Sequence, residues 1–517
     1  MNLLTDHWLT VQDASGEIGR ISPLDIGNAR YRDLVAVRPD FRAGLYQLLI
    51  GLLQYGLAPL DMDEWRERWR QAPDAATLEA AWAPYLHAFE LESEGAAFMQ
   101  DLQLPLDANL LPVVDLLIDA GSDSNLYFNK MPASQGFCQA CVAQALFTLQ
   151  INAPSGGRGV RTSLRGGGPM TTLLLPQAED ASLWQRLWLN VLTQDALGYP
   201  EVAAASDVLP WLAPTRTSDG ADALATTPET VHPLQAYWSM PRRIRLDAGT
   251  CTTGDCGVCG ASGVRLFHHY RTRHGGTNYT GAWLHPLTPY TLDPKNEQPP
   301  LSIKGQPGGV GYRHWLGLAL GTPDMQPAAA QVVSHFHAKI GLPGVRLWCF
   351  GYDVANMKAR CWYESSLPVH VVEEASQAAL VHRVKEMIAV AVEAASALHK
   401  HVKAAWFKRP GDVGSEPAIF QSFWEGSEHA FYAAIAELVA ADVHDEAAIA
   451  PLYRSWLLAV RGTATALFEQ WTLAGPIEER DLGQVVKARA GLNKDLSAGK
   501  SAKQMWKTVT THLKEKA

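Results

Sequence analysis

Between Phe41 and Leu53 the apolar positions Phe41, Leu45, Leu48, Leu49, Leu52 and Leu53 recur at the spacing of one helical face, which predicts a helix there. Two further helices are predicted over Met62–Arg70 and Ala75–Phe89, after an opening to about Val35 that reads as short strands and turns. Leu110 to Ile118 is apolar but interrupted by Pro112 and Asp115, Cys141 to Gln150 reads as a helix, and Leu183 to Leu192 as another. Ala203 to Leu234 is rich in Ala, Asp, Thr, Pro and Ser with little periodicity, which predicts that part of it is a long loop or mobile insertion. Strands and short helices are expected from there to Trp362.

The pattern changes near Val371. Ala, Val and Leu then hold helical spacing for about ten turns, ended by Pro410. Further helices are predicted over Pro417–Ala441, Ala447–Trp471 and Glu478 to about Leu492, and short loops between them suggest an antiparallel four-helix bundle. The reading is therefore an α+β, mixed domain over residues 1–368, followed by an all-α bundle with a basic tail over 369–517.

A chain of 517 residues exceeds the size at which one core stops growing, so neither domain needs a metal merely to build an interior. The start MNLLTDHWLTV lacks a basic segment followed by an apolar one, and no window reaches 18 uninterrupted apolar residues, so a cytoplasmic location without membrane contact is expected. A net charge of -9 argues against non-specific coating of nucleic acid. Arginine is nonetheless dense in the middle of the chain, at Arg161, Arg165, Arg242, Arg243, Arg245, Arg271 and Arg273. Guanidinium forks suit phosphate oxygens, and they equally suit salt bridges within a fold. From Asp481 onward eight Lys and Arg face three Asp and Glu, which fits either a solvated face or an electrostatic surface for DNA.

Four of the seven cysteines form two C-x-x-C pairs, Cys138/Cys141 and Cys256/Cys259, more than a hundred residues apart. Two such pairs complete an all-sulfur tetrahedral shell with no position left for water or substrate, the arrangement of structural zinc. Free core thiols or one redox dithiol are the alternatives. If one ion is shared, the tract before Cys138, the glycine run Ser155, Gly156, Gly157, Arg158, Gly159 and the basic tract Arg271 to His274 are brought into one neighbourhood. That glycine run lacks the Lys-Ser/Thr ending of a phosphate-binding loop. It reads as a flexible turn or as backbone able to approach a groove, with an arginine suited to a narrow minor groove. No partnered catalytic set is present, so an enzyme is not expected.

The tracts MNLLTDHWLTV, FNKMPASQGFCQAC, SGGRGVRTSLRGGGPMTTLL, YWSMPRRIRL, CGVCG and GYDVANMKARCWYE together resemble the large subunit of the type I-E CRISPR interference complex, Cascade. The resemblance implies a non-catalytic antiviral subunit that reads the short motif flanking the target in double-stranded DNA. It would also promote strand separation and recruit a helicase-nuclease, alongside guide RNA, a backbone subunit and a small subunit. By position the motif-reading elements resemble Ser155–Gly159, Arg273 or His274, and Ala355, Asn356 and Met357. Arg158 stands where some members have glycine, and His274 beside Arg273 where some have lysine. Tyr127 or Phe128 resembles the aromatic that meets the 5′ handle of the guide RNA. The bundle resembles the part that contacts the small subunit and the displaced strand, with Lys400, Lys403, Lys487 and Arg489 as candidates by charge. A zinc-stabilised scaffold protein without direct motif readout is the alternative from another class.

Overall fold

The structure, a computed structural model, describes residues 1–121, 129–157, 159–199, 201–202, 204–221, 223–295, 297–321, 326–412, 414–474 and 481–514. Its chain divides into two units, one of Met1–Gly309 with Leu320–Ser366 and one of Val310–Ala319 with Leu367–Ala517.

The first unit is mixed. Its central helices are Pro39–Gly56, buried along almost its whole length, and Gln139–Asn152 packed against it. The helix Met62–Arg70 has the predicted bounds, because Asp61 accepts from the amides of Asp63 and Glu64 at its start and Arg68 and Arg70 close its end. The helix predicted over Ala75–Phe89 stops at Trp82 and continues as a tighter, kinked turn. Pro84 explains this, since proline removes a donor and crowds the preceding turn.

The stretch with little periodicity before Leu234 is tied down at several of its described residues. Trp211 is fully buried, its ring edge-on to Phe98 at 5.3 Å and to Phe89 at 5.8 Å, while Ala225–Thr226 pairs in parallel with Asn278–Tyr279. Together with Phe147 and Trp238 these rings form an aromatic core behind the helix Gln139–Asn152. Weak periodicity concealed this because single aromatics, not an amphipathic face, anchor the segment.

Three small antiparallel sheets matter for the site. In one, the strand His269–Arg273 lies between Asn109–Pro112 and Arg243–Leu246, with Arg273 opposite Arg243 and Thr272 opposite Asn109. In another, Val264–Phe267 lies between Thr252–Gly254 and Phe137–Cys138, with Leu266 opposite Cys138. In the third, the long strand Val345–Ala355 pairs with the buried strand Thr171–Pro176 and lies next to Lys358–Val369. Asn356 and Met357 join the two long strands with φ of 49° and 66°. Two successive residues at positive φ are what a tight hairpin requires to match the strands' twist.

The second unit is helical, and from Leu367 onward its described residues form five α-helices: Glu374–Trp406, Pro417–Ala440, Glu446–Leu473, Leu482–Ala498 and Lys500–Lys514. The periodicity predicts four. Gly499 separates the last two, and Glu393 caps the fifth by accepting from the amides of Ser501, at 2.9 Å, and Ala502, at 3.3 Å. The segment Val310–Ala319 belongs to this unit by packing. The Tyr312 ring stacks on Phe431 at 4.3 Å, its hydroxyl lies 2.9 Å from the Ser427 hydroxyl, and the Trp315 indole donates to the Pro368 carbonyl at 2.7 Å.

Candidate nucleic-acid interface and metal centre

Cys138 precedes the helix Gln139–Asn152 and Cys141 sits in its first turn. Cys256 and Cys259 sit on the turn between the strands Thr252–Gly254 and Val264–Phe267. Because Val264–Phe267 pairs with Phe137–Cys138, both pairs converge. All four sulfurs lie within 4.8 Å of one another, and Cys138 Sγ is 3.7 Å from Cys259 Sγ. A tetrahedral ion with metal–sulfur bonds of about 2.3 Å sets its sulfurs about 3.8 Å apart, so the donor set fits a metal ion. Cys138 also donates its amide to Cys256 Sγ at 3.3 Å, which holds the sulfur in place. Cys251, Cys349 and Cys361 stand outside the cluster.

From this knot two elements run onward. The helix Gln139–Asn152 spans about 21 Å and ends just before the glycine run, while the chain after Leu266 passes through the strand His269–Arg273 to His274. The metal site and the glycine run therefore stand at opposite ends of one helix. The shared-metal reading placed them side by side; the metal would instead fix the root of the elements that carry the loops.

At the far end lies a cleft of about 400 Å³. Ser155, Gly156 and Gly159 form one wall, Arg273 and His274 another, and Met357 reaches it from the hairpin tip. Arg161, Arg242, Arg243, Asn109 and Thr272 also line it. Gly159 packs so closely that a side chain there would meet His274 Cβ at 3.1 Å, and its φ is +78°. The Gly275 amide donates to the Gly159 carbonyl at 2.8 Å, joining the two walls. Gly156, Gly157, Arg273, His274, Asn356 and Met357 are exposed, while Ala355 is half-buried.

Residues 2–467 match the family of CRISPR-associated protein Cse1. The chain belongs to the Cse1 family. The resemblance carried by its sequence tracts, to the large subunit of type I-E Cascade, therefore holds. The structure of Thermobifida fusca Cse1 superposes with a TM-score of 0.71 at 17% identity, over 96% of this chain and 98% of its own. Thermus thermophilus CasA (Cse1) gives 0.69 at 19% identity, over 96% and 99%. A structure described as a CRISPR RNA-guided surveillance complex gives 0.67 at 16% identity, over 96% and 99%. At these identities the likeness speaks for the fold.

In this Cse1-family chain the arginines divide into two groups. Arg165 is buried and donates to Thr171 Oγ1, Thr288 Oγ1, Gln47 Oε1 and the Ile151 carbonyl, so it braces the fold from inside and does not face a phosphate, contrary to the expectation from its charge. Burial lowers it to about 10, and burial together with the Arg165 charge lowers Lys304, bonded to the Arg165 carbonyl, to about 8. Arg243 is also a fold residue, because its Nε donates to the buried Asp101 carboxylate at 2.6 Å. Spacing along the sequence could not distinguish these internal bonds from phosphate contact.

Arg242 lines the cleft half-buried, donates to the Pro154 carbonyl, and keeps a buried Nε without a partner. Burial lowers it to about 10, which leaves it charged at neutral pH. Arg273 donates to the exposed Asp107 at 3.3 Å, a pair too exposed to hold it from another anion. Arg158, Tyr127 and Phe128 lie outside the described residues.

The helical unit treats its four candidates differently. Lys400 pairs with Asp495 at 2.8 Å, Lys403 donates to the Gly414 carbonyl at 3.0 Å, and Arg489 donates to Glu469 and Asn493. Lys487 is exposed. No helix among the described residues is long and apolar enough to cross a membrane.

Proposed function

We propose that this Cse1-family chain reads the motif flanking the target in double-stranded DNA with the cleft between the glycine run, Arg273–His274 and the Asn356–Met357 turn. The observation that carries the reading is the convergence of these three elements, distant in sequence, on one basic cleft of about 400 Å³. Exposed backbone at Gly156 and Gly157 allows close approach to a groove, Arg273 and Arg242 supply charge for phosphate, and Asn356 offers both a donor and an acceptor to base edges. The minor groove presents a degenerate pattern, which suits tolerance of several related motifs.

In this reading the protein is a non-catalytic subunit of an RNA-guided surveillance complex. It hands sequence recognition to guide pairing after testing a few base pairs and so promotes strand separation, and the complex then recruits a helicase-nuclease. Tyr127 or Phe128 stacks on the guide RNA 5′ handle, and the helical unit meets the small subunit and the displaced strand through exposed lysines such as Lys487. Zinc, held by the four cysteines, is structural: its closed shell leaves no open position for chemistry.

The test is binding by the complex assembled with guide RNA to duplexes that differ only beside the target. Asn356→Ala and His274→Ala are expected to flatten the preference among flanking motifs while binding of a pre-opened target persists. Unchanged discrimination in both variants would exclude the cleft as the reading site and favour the scaffold role.

A further inference from the structure

One segment of the cleft's surroundings belongs to neither of its walls. Residues Thr215–Gly220, from the stretch without periodicity, lie across the junction of the glycine run and the basic tract, and Ser218 makes four hydrogen bonds there. Its hydroxyl accepts from Arg161 Nε at 2.7 Å and donates to the Gly276 carbonyl at 2.6 Å. Its carbonyl accepts from Arg161 Nη2 at 3.1 Å, and its amide donates to the Gly275 carbonyl at 3.1 Å.

The segment is itself anchored. Arg216 donates to Thr226 Oγ1 at 3.1 Å, the Leu224 amide donates to the Thr217 carbonyl at 2.9 Å, and Thr226 is paired with Tyr279 beyond the basic tract. Asp219 lies against Gly275 so closely that a side chain at that glycine would stand 2.0 Å from the Asp219 carboxyl carbon. A third strand of chain is thus fitted over the two that form the cleft.

We infer that Ser218 and Arg161 form a clasp that sets the spacing between the glycine run and Arg273–His274, making both positioning residues for motif readout. Without the clasp, the polar link between the walls among the described residues is one backbone bond, from the Gly275 amide to the Gly159 carbonyl. Glycine-rich backbone at positive φ on both sides, at Gly157, Gly159 and Gly275, has little stiffness of its own. A site that tests a few base pairs needs its donors held to within about half an ångström, and a pair of hydrogen bonds from a planar guanidinium fixes distance and angle together. Arg161 lines the cleft while two of its guanidinium nitrogens are occupied by Ser218, so it acts on the motif through loop geometry.

The inference rests on the motif-reading role, and its test separates the two. In the full chain, hydrogen exchange of Ser218→Ala is expected to show faster exchange over 153–161 and 273–277 with unchanged protection over 139–152, and Ser218→Thr, which keeps the hydroxyl, is expected to restore the slow rate. Unchanged exchange in Ser218→Ala would overturn the clasp whatever the protein binds. In the assembled complex Ser218→Ala and Arg161→Ala are each expected to reduce the ratio of affinities for preferred over altered flanking motifs by about five- to tenfold, and the double variant by no more than either alone. Additive losses would overturn the clasp alone, as would an unchanged ratio in Ser218→Ala when Asn356→Ala abolishes it. A wild-type complex that shows no motif preference overturns both readings.

Discussion

Gly159 and Gly275, more than a hundred residues apart in sequence, are joined by a 2.8 Å hydrogen bond from the Gly275 amide to the Gly159 carbonyl. Each lies beside an exposed stretch of the proposed reading site, and each is reached from the four-cysteine cluster by a short run of chain: the helix Gln139–Asn152 to the glycine run, and the strand His269–Arg273 to His274. The cluster and this bond thus close a frame whose far end is the cleft.

The cluster's role follows from that frame. The purified chain is expected to contain one tightly held zinc, and Cys138→Ser or Cys256→Ser to lose it together with protease resistance in the first unit, since structural zinc contributes folding free energy directly. Metal analysis and limited proteolysis check this. Full retention of fold in a metal-free variant would show that the sulfurs merely pack together.

Arg243 and Asp101 test the division of arginines into fold and surface. Both are buried and bonded at 2.6 Å, so Asp101→Ala is expected to destabilise the first unit by about 3–5 kcal/mol by leaving a guanidinium unpaired in the interior. Lys487→Ala, on an exposed helix face, is expected to change stability by less than about 0.5 kcal/mol while weakening DNA binding more at low salt than at high salt. Chemical denaturation and salt-dependent binding measure the two effects.

Lys304 gives the first unit a pH dependence of definite sign. Its folded-state value, about 8, lies below the ordinary lysine value because burial and the Arg165 charge disfavour the ammonium. Between about pH 8 and 10 the unfolded chain then binds more protons than the folded one, so this residue's contribution to stability rises with pH through that window and is flat below it. Lys304→Met is expected to remove the rise, worth roughly 2 kcal/mol at most. Denaturation midpoints of the two proteins at pH 7.5 and 9.5 provide the comparison.

The sequence made a good part of this molecule legible, for identifiable reasons. Helices with a clear apolar face, such as Pro39–Gly56 and Glu374–Trp406, were readable because burial enforces the period. The two C-x-x-C pairs were readable because thiols that converge on one point keep a short, fixed spacing. The role of Arg165 was hidden, since its four partners come from Gln47, Ile151, Thr171 and Thr288, and no local pattern encodes them. The same holds for Ser218, an ordinary serine in a stretch that reads as loop until Arg161 and Gly276 are brought to it. The fifth helix was obscured by Gly499 and by polar composition; its start depends on Glu393, a cap supplied from another helix.

Glu393 can be tested directly. Glu393→Ala removes acceptors for the Ser501 amide and hydroxyl and the Ala502 amide, and is expected to cost about 1–2 kcal/mol, confined to the last helix. Hydrogen exchange over 500–514 should accelerate while 374–406 stays protected.

The most direct measurement of the central claim is site-specific photo-crosslinking from position 357, at the exposed hairpin tip that reaches the cleft, in the complex assembled with guide RNA and a target duplex. Crosslinks confined to the base pairs of the flanking motif, and lost when that motif is altered, are predicted. Crosslinks only to the guide-paired strand or to neighbouring protein, with the flanking duplex untouched, would contradict a reading site at this cleft.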